Sequence, residues 1–196
     1  MIRAVIFDCF GVLVGDGLEL VCQKLATENP EGRKFVGEMI RMSNSGLIYP
    51  AESNQKIADF LHITVADWRS MVGTGEVRDQ RTCDLVLSLR KTYKTALLSN
   101  IGKGSLARRF NTRELEEMFD VVITSGDLGM IKPNLEIYRH TAEKLGVETE
   151  ACVFLDDREN YCLAARSVGM QAIWFQNYDQ AKAELDVILA AGATEA

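Results

Sequence analysis

No stretch of this 196-residue chain approaches the about 20 consecutive apolar residues that a membrane-spanning helix needs, so no bilayer segment is expected. The opening residues MIRAVIFDCF reach an acid at Asp8, too early for the apolar region of a secretory signal. Positive charge is scarce as well. The 22 Lys plus Arg stand against 28 Asp plus Glu, a net −6, which argues against a broad surface for nucleic acid. The five cysteines, Cys9, Cys22, Cys83, Cys152 and Cys162, contain no CxxC pair, and His62 and His140 lie near no cysteine pair. A zinc site is therefore not expected, and an odd number of scattered thiols fits a reducing cytoplasm. There is no internal repeat and no low-complexity segment. Gly102 and Gly104 around Lys103 lack the downstream Lys-Ser/Thr of a Walker loop.

What is present is an ordinary globular composition, 47% apolar and 26% charged, long enough to bury one substantial core. Five short apolar runs predict strands: residues 2–7 (IRAVIF), 93–98, 121–124, 151–155 (ACVFL) and 171–175 (QAIWF). Helical spacing predicts helices over 79–91, over 134–145 with Pro133 suited to the first turn, over 160–168 up to Gly169, and over 179–190. Nearly continuous apolar strands separated by helices mark a parallel sheet covered on both faces. The fold class expected is α/β, a doubly wound, mostly parallel sheet.

Residues 15–78 have a different character. They hold no strand but several helical patterns, broken at Asn29-Pro30, at 43–46 and at Tyr49-Pro50, and Thr64 with Asp67 resembles a capping box. Such a length is too great for a loop. The expected organisation is a core of residues 1–14 and 79–196, with a small helical cap, residues 15–78, inserted after the first strand.

In open parallel sheets, ligands bind beyond the carboxyl ends of the strands. Here those ends carry Asp8, Ser99-Asn100, Asp127 with nearby Lys132, and Asp156-Asp157. Any one of these residues is an ordinary turn former; the set at four successive strand ends is harder to explain as turns. Grouped carboxylates repel unless a divalent cation lies between them, and hard oxygen ligands suit Mg²⁺. A hydroxyl and a lysine beside them would cradle a phosphate, and a free carboxylate can attack phosphorus.

Four segments, FDCFGVL (7–13), LLSN (97–100), MIKP (130–133) and VFLDDREN (153–160), resemble the ordered motifs of the haloacid-dehalogenase-like (HAD) superfamily. Residues 127–170 look especially like bacterial sugar-phosphate phosphatases and the N-terminal phosphatase domain of soluble epoxide hydrolases. The resemblance implies a Rossmannoid core with a cap and a Mg²⁺-dependent phosphatase acting on a small phosphorylated metabolite. In that reading Asp8 is the nucleophile, and Ser99, Asn100 and Lys132 surround the phosphoryl group. Asp8, Asp156, Asp157 and the carbonyl of Phe10 hold the metal.

Phe10 departs from the pattern. Phosphatases of this type read DxDG(T/V), and their second Asp is the general acid/base, help commonly worth ~10²–10⁴ in rate. Three readings stay open: a phosphatase with its proton supplied elsewhere, a binding or regulatory protein with weak turnover, and a 2-haloacid dehalogenase, whose halide leaves without a proton.

Other conspicuous residues read as structural. His62 and His140 lie on helical stretches, Trp68 and Trp174 are expected packing anchors, and Glu114, Glu116 and Glu117 form a solvated face. Strand alternation should point Cys9 away from Asp8.

Overall fold

The computed structural model describes residues 1–193, so the last three positions of the expected core range, 194–196, lie outside the described residues. Five strands form one sheet: β1 (Ala4–Phe7), β2 (Lys94–Ser99), β3 (Val121–Thr124), β4 (Cys152–Asp156) and β5 (Gln171–Trp174). Their order is β3-β2-β1-β4-β5 and every pairing is parallel. The chain moves outward one way from β1 to β3 and then crosses back to β4. The point where the direction reverses therefore lies between β1 and β4, where a crevice opens at the carboxyl ends of a doubly wound sheet.

Alternation along β1 explains why its sequence is apolar throughout. Val5 and Phe7 face a core shared with α5 (Gln80–Leu89), α6 (Thr112–Met118) and α10 (Tyr178–Ala193). Ala4 and Ile6 face a second core with α8 (Leu135–Leu145) and α9 (Glu159–Ser167). A strand buried on both faces has no position for a polar residue until it leaves the sheet, and the first such position is Asp8.

Between β1 and α5 lie four helices, α1 (Gly17–Glu28), α2 (Pro30–Asn44), α3 (Pro50–Leu61) and α4 (Val65–Gly75). They bury a third apolar cluster of their own, which includes Val21, Val36, Ile57 and Trp68. The breaks expected from sequence are the observed ones. Asn29 ends α1 and also caps α2, its side chain accepting from the Gly32 N–H at 2.9 Å, with Pro30 in the first turn. Thr64 and Asp67 do form a reciprocal capping box on α4. Two adjacent crossings tie this layer to the sheet: the Gly15 N–H donates to the Val77 carbonyl at 2.8 Å and the Asp79 N–H to the Leu13 carbonyl at 2.9 Å. The carboxyl end of α2 docks on the segments that follow β2 and β3, where Asn44 donates to the Asn100 carbonyl and Ser125 donates to the Asn44 carbonyl.

Several expectations need correction. Pro133 stands outside α8, whose cap is Asn134, because the Asn134 side chain accepts the Glu136 N–H. His62 is not in a helix body; it closes α3 in the left-handed conformation, φ 56°. Trp174 is no packing anchor: it is 39% exposed, and its indole donates to the Asp157 carbonyl at 2.8 Å. The acidic run at 114–117 is solvated as expected, with Glu116 and Glu117 exposed, but it belongs to an unexpected helix, α6, where Glu114 completes a capping box with Asn111. A further helix, α7 (Ser125–Leu128), follows β3 directly. Among the described residues no helix is long and apolar enough to cross a membrane.

Candidate active site

The parallel register places Phe7 beside Leu155 and beside Leu97, so the next residue along β1, Asp8, lies level with Asp156 on β4 and with Leu98 on β2. The Asp8 N–H donates to the Leu155 carbonyl at 2.9 Å, which holds the turn tight against β4. Asp8, Asp156 and Asp157 each offer an oxygen, and these oxygens lie within 4.8 Å of one another. Gly11 makes this proximity possible. Its φ is +78°, and a Cβ there would fall 2.3 Å from Asp157 Oδ2.

Lys132 enters from the loop after α7 and is 1% exposed. Its Nζ donates to Asp156 Oδ2 at 2.6 Å and to the Leu98 carbonyl at 3.1 Å, and it lies 2.8 Å from Asp8 Oδ1. Burial works against the ammonium, but Asp156 and Asp8 outweigh it and hold Lys132 above the ordinary lysine range. Asn100 clamps the same loop: its Oδ1 accepts the Lys132 N–H at 2.9 Å and its amide donates to the Lys132 carbonyl at 3.0 Å. Asn100 thus lines the crevice and also fixes the lysine's main chain.

Burial dominates the titration of the acids. It pushes the Asp8 carboxyl up to about 7, against the lowering effect of Lys132, and Asp156 adds repulsion. Burial followed by repulsion from Asp156 raises Asp157 to about 6. Three acids with one lysine are undercharged on the positive side, which is the condition a divalent cation relieves. Two buried polar atoms here have no hydrogen-bond partner among the described residues: Ser99 Oγ, on a residue with no exposed surface, and Asp157 Oδ1. Orphaned buried groups are rare in folded proteins and call for a reason. A phosphate oxygen for Ser99 and a cation for Asp157 would supply both. The donor set, all oxygen, fits Mg²⁺.

Above the strand ends is a cavity of about 660 Å³, lined from below by Asp8, Phe10, Asn100 and Lys132 and from the helical layer by α1, α2 and α4. Phe10 presents a phenyl ring packed against the first core, with the Arg109 guanidinium 5.2 Å from its centroid. Cys9 is fully buried in that same core. Asp127, expected at the crevice, does not line it; its carboxylate accepts a hydrogen bond from the Thr124 hydroxyl at the start of α7. Trp68 does line the cavity, yet it is 2% exposed and donates to Asn54 Oδ1 at 2.9 Å, which makes it an anchor. Reading along the sequence missed Glu76, Arg69, Arg108 and Arg109, which line the cavity from separate elements and share no local motif.

A doubly wound sheet with clustered carboxylates and a buried lysine at its switch point defines a hydrolase of the haloacid dehalogenase type. The chain belongs to that family: residues 2–169 match the haloacid dehalogenase-like hydrolase model. Among curated proteins it is 36% identical over 84 residues to a phosphatase, MT3486, of Mycobacterium tuberculosis (strain CDC 1551 / Oshkosh), covering 42% of this chain and 39% of that protein. It is 32% identical over 103 residues to bifunctional epoxide hydrolase 2 of Sus scrofa, covering 50% of this chain and 19% of that protein. These matches span well under half the length of the curated relatives. A HAD family enzyme from Bacteroides thetaiotaomicron, solved as a magnesium complex, is 26% identical with a TM-score of 0.71, over 88% of this chain and 92% of that one.

Proposed function

We propose that this chain hydrolyses small phosphate monoesters, sugar phosphates among them, with Mg²⁺ as cofactor and Asp8 as nucleophile. The observation that carries this reading is the convergence of Asp8, Asp156 and Asp157 within 4.8 Å around a buried Lys132, with Ser99 Oγ left unpartnered beside them. Asp156, Asp157, one oxygen of Asp8 and the Phe10 carbonyl would hold the cation. Bound there, it supplies the positive charge that keeps the carboxylates ionised together and offsets the charge of the phosphate. Ser99 donates to a phosphoryl oxygen, and Lys132 neutralises another. The Asp8 oxygen attacks phosphorus, the ester oxygen leaves, and water then cleaves the aspartyl phosphate to restore Asp8 and release inorganic phosphate. Residues 15–78 act as a cap that closes the cavity and selects the substrate. Two relatives named as phosphatase and as bifunctional epoxide hydrolase, and a neighbour solved with magnesium, support the same reading. The five buried thiols fit a reducing cytoplasm.

A dehalogenase has no need of a cation and leaves the three converging acids unexplained. The binding-protein alternative rests on Phe10, which cannot move a proton. Purified protein with p-nitrophenyl phosphate and Mg²⁺, beside Asp8→Asn, separates the three. Metal-dependent turnover that Asp8→Asn abolishes is the expected result. Equal activity in that variant, or no turnover of any phosphate ester, overturns the proposal. Chloride release from 2-chloropropionate without metal would establish the dehalogenase, and metal binding with neither turnover would establish the binding protein.

A further inference from the structure

The acidic chain concentrates arginines in one place. Six line the cavity, and two of them are neutralised: Arg109 is paired with Glu76, and Arg158 with Asp16 and Glu19. Arg33, Arg41, Arg69 and Arg108 have no ion-pair partner and no side-chain hydrogen bond among the described residues. Three of the six form a group. Arg69 on α4 and Arg108 and Arg109 after β2 all line this cavity, and burial followed by the charges of Arg109 and Arg69 lowers the Arg108 guanidinium from its ordinary range. Glu76 is the carboxylate ion-paired within this group; three positive charges against that one negative charge leave +2. Arg109 has a further feature. Its side chain is 9% exposed, and its Nε is buried with no hydrogen-bond partner among the described residues. Its guanidinium also lies over Phe10, two residues from Asp8, so the group begins beside the reacting end of the cavity.

Neighbouring guanidiniums cost free energy unless an anion offsets them, and guanidinium forks match carboxylate and phosphate. From these residues we infer a second anion subsite made by Arg109, Arg108 and Arg69, which selects substrates whose leaving part carries a further phosphate or carboxylate. This rests on the phosphatase reading above and assigns its substrate class. It also gives Phe10 a context: an anion held by guanidiniums beside the phenyl ring steadies the departing fragment where the usual acid is missing.

The test uses the full chain with Mg²⁺ and matched substrate pairs: glucose 1,6-bisphosphate against glucose 1-phosphate, and 3-phosphoglycerate against glycerol 3-phosphate. In at least one pair the doubly anionic member should have about tenfold or greater kcat/KM, the order of one charge-assisted hydrogen bond. Arg108→Ala and Arg69→Ala, on separate elements, should each bring that ratio towards one through KM, and Arg108→Lys should retain part of it. The pair that responds tells phosphate from carboxylate. Ratios near one in both pairs, or a ratio that neither alanine variant changes, overturn the subsite while p-nitrophenyl phosphate turnover leaves the phosphatase reading standing. If no ester is turned over, that reading fails by itself. Calorimetric titration of glucose 1,6-bisphosphate in EDTA then decides the subsite: binding weakened about tenfold by Arg108→Ala supports it, and equal or absent binding overturns it.

Discussion

Replacing Lys132 by methionine keeps the length of the side chain and removes its charge, which leaves Asp8 and Asp156 facing each other in a buried site. In the wild type the ammonium lies 2.8 Å from Asp8 and 2.6 Å from Asp156 and is 1% exposed. Removing one member of a buried ion pair costs about 3–5 kcal/mol. In a domain of this size each kcal/mol moves the midpoint by about 2–4 °C, so Lys132→Met in EDTA should melt about 6–20 °C lower by calorimetry. The deficit should depend on pH, with a sign set by Asp8. Its folded pKa, about 7, lies above the ordinary 3.8. A carboxyl raised in this way stabilises the fold at low pH and loses that contribution as pH rises through the folded value. At pH 5 Asp8 is protonated in both proteins, and the variant loses only the Asp156 pairing. At pH 8 the wild-type Asp8 is ionised and paired, so the variant loses both interactions and its deficit grows. Asp8→Asn in the Lys132→Met background should recover part of the loss at pH 8 and little at pH 5. A shift below about 3 °C, or a deficit equal at both pH values and indifferent to Asp8→Asn, would refute the claim that Lys132 neutralises this site.

Phe10→Asp should raise turnover of an alkyl phosphate, a poor leaving group, by about tenfold or more, since general acid/base help is worth ~10²–10⁴; no gain in a folded variant would show that the proton already comes from another group. Gly11→Ala forces a methyl group against Asp157 Oδ2 at a positive φ, so Mg²⁺ affinity measured by calorimetry should fall sharply, and an unchanged affinity would separate Asp157 from the metal site. Trp68→Ala removes a fully packed indole and its hydrogen bond to Asn54, so denaturant unfolding should show a loss of about 3–5 kcal/mol; a loss under 1 kcal/mol would mean that the helical layer does not depend on this anchor.

The strands were legible because burial on both faces leaves a run with no polar position. All five apolar runs are strands, with no end displaced by more than two residues, and the parallel, doubly wound class follows from them. The displacement has consequences at two places, since Ser99 and Asp156 are the last residues of β2 and β4 and so are held by the sheet itself. The three carboxylate positions could be read because each follows or ends a strand that the topology brings to one edge, and Lys132 because it lies in the connection that leaves β3. Asp127 could not be sorted from them by sequence, because an acid that serves a hydroxyl in its own turn looks the same as one that serves a ligand. The helix α6 was missed because its acidic run was read as surface, although Asn111 three residues before Glu114 carried the capping signal. Trp174 misled for a related reason: indole is apolar enough to suggest a core, but its N–H is spent on the Asp157 carbonyl at the edge strand.

The arginines had no such signal, and the reason bears on function. Net charge sums over the chain, while a ligand meets only the groups that the fold brings together. Here the sheet collects the acids: β1 and β4 end in Asp8, Asp156 and Asp157 because the register makes those strands neighbours at the switch point. The helical layer and the loop after β2 collect the bases, with Arg69 on α4 and Arg108 and Arg109 39 and 40 positions further along the sequence. Between the two groups sits Phe10, uncharged, under the Arg109 guanidinium. A chain of net charge −6 thus has, within one cavity, a floor suited to a divalent cation and a wall suited to an anion. Under the subsite proposed above, a substrate with two negative groups would engage both, and a substrate with one would leave the wall unsatisfied.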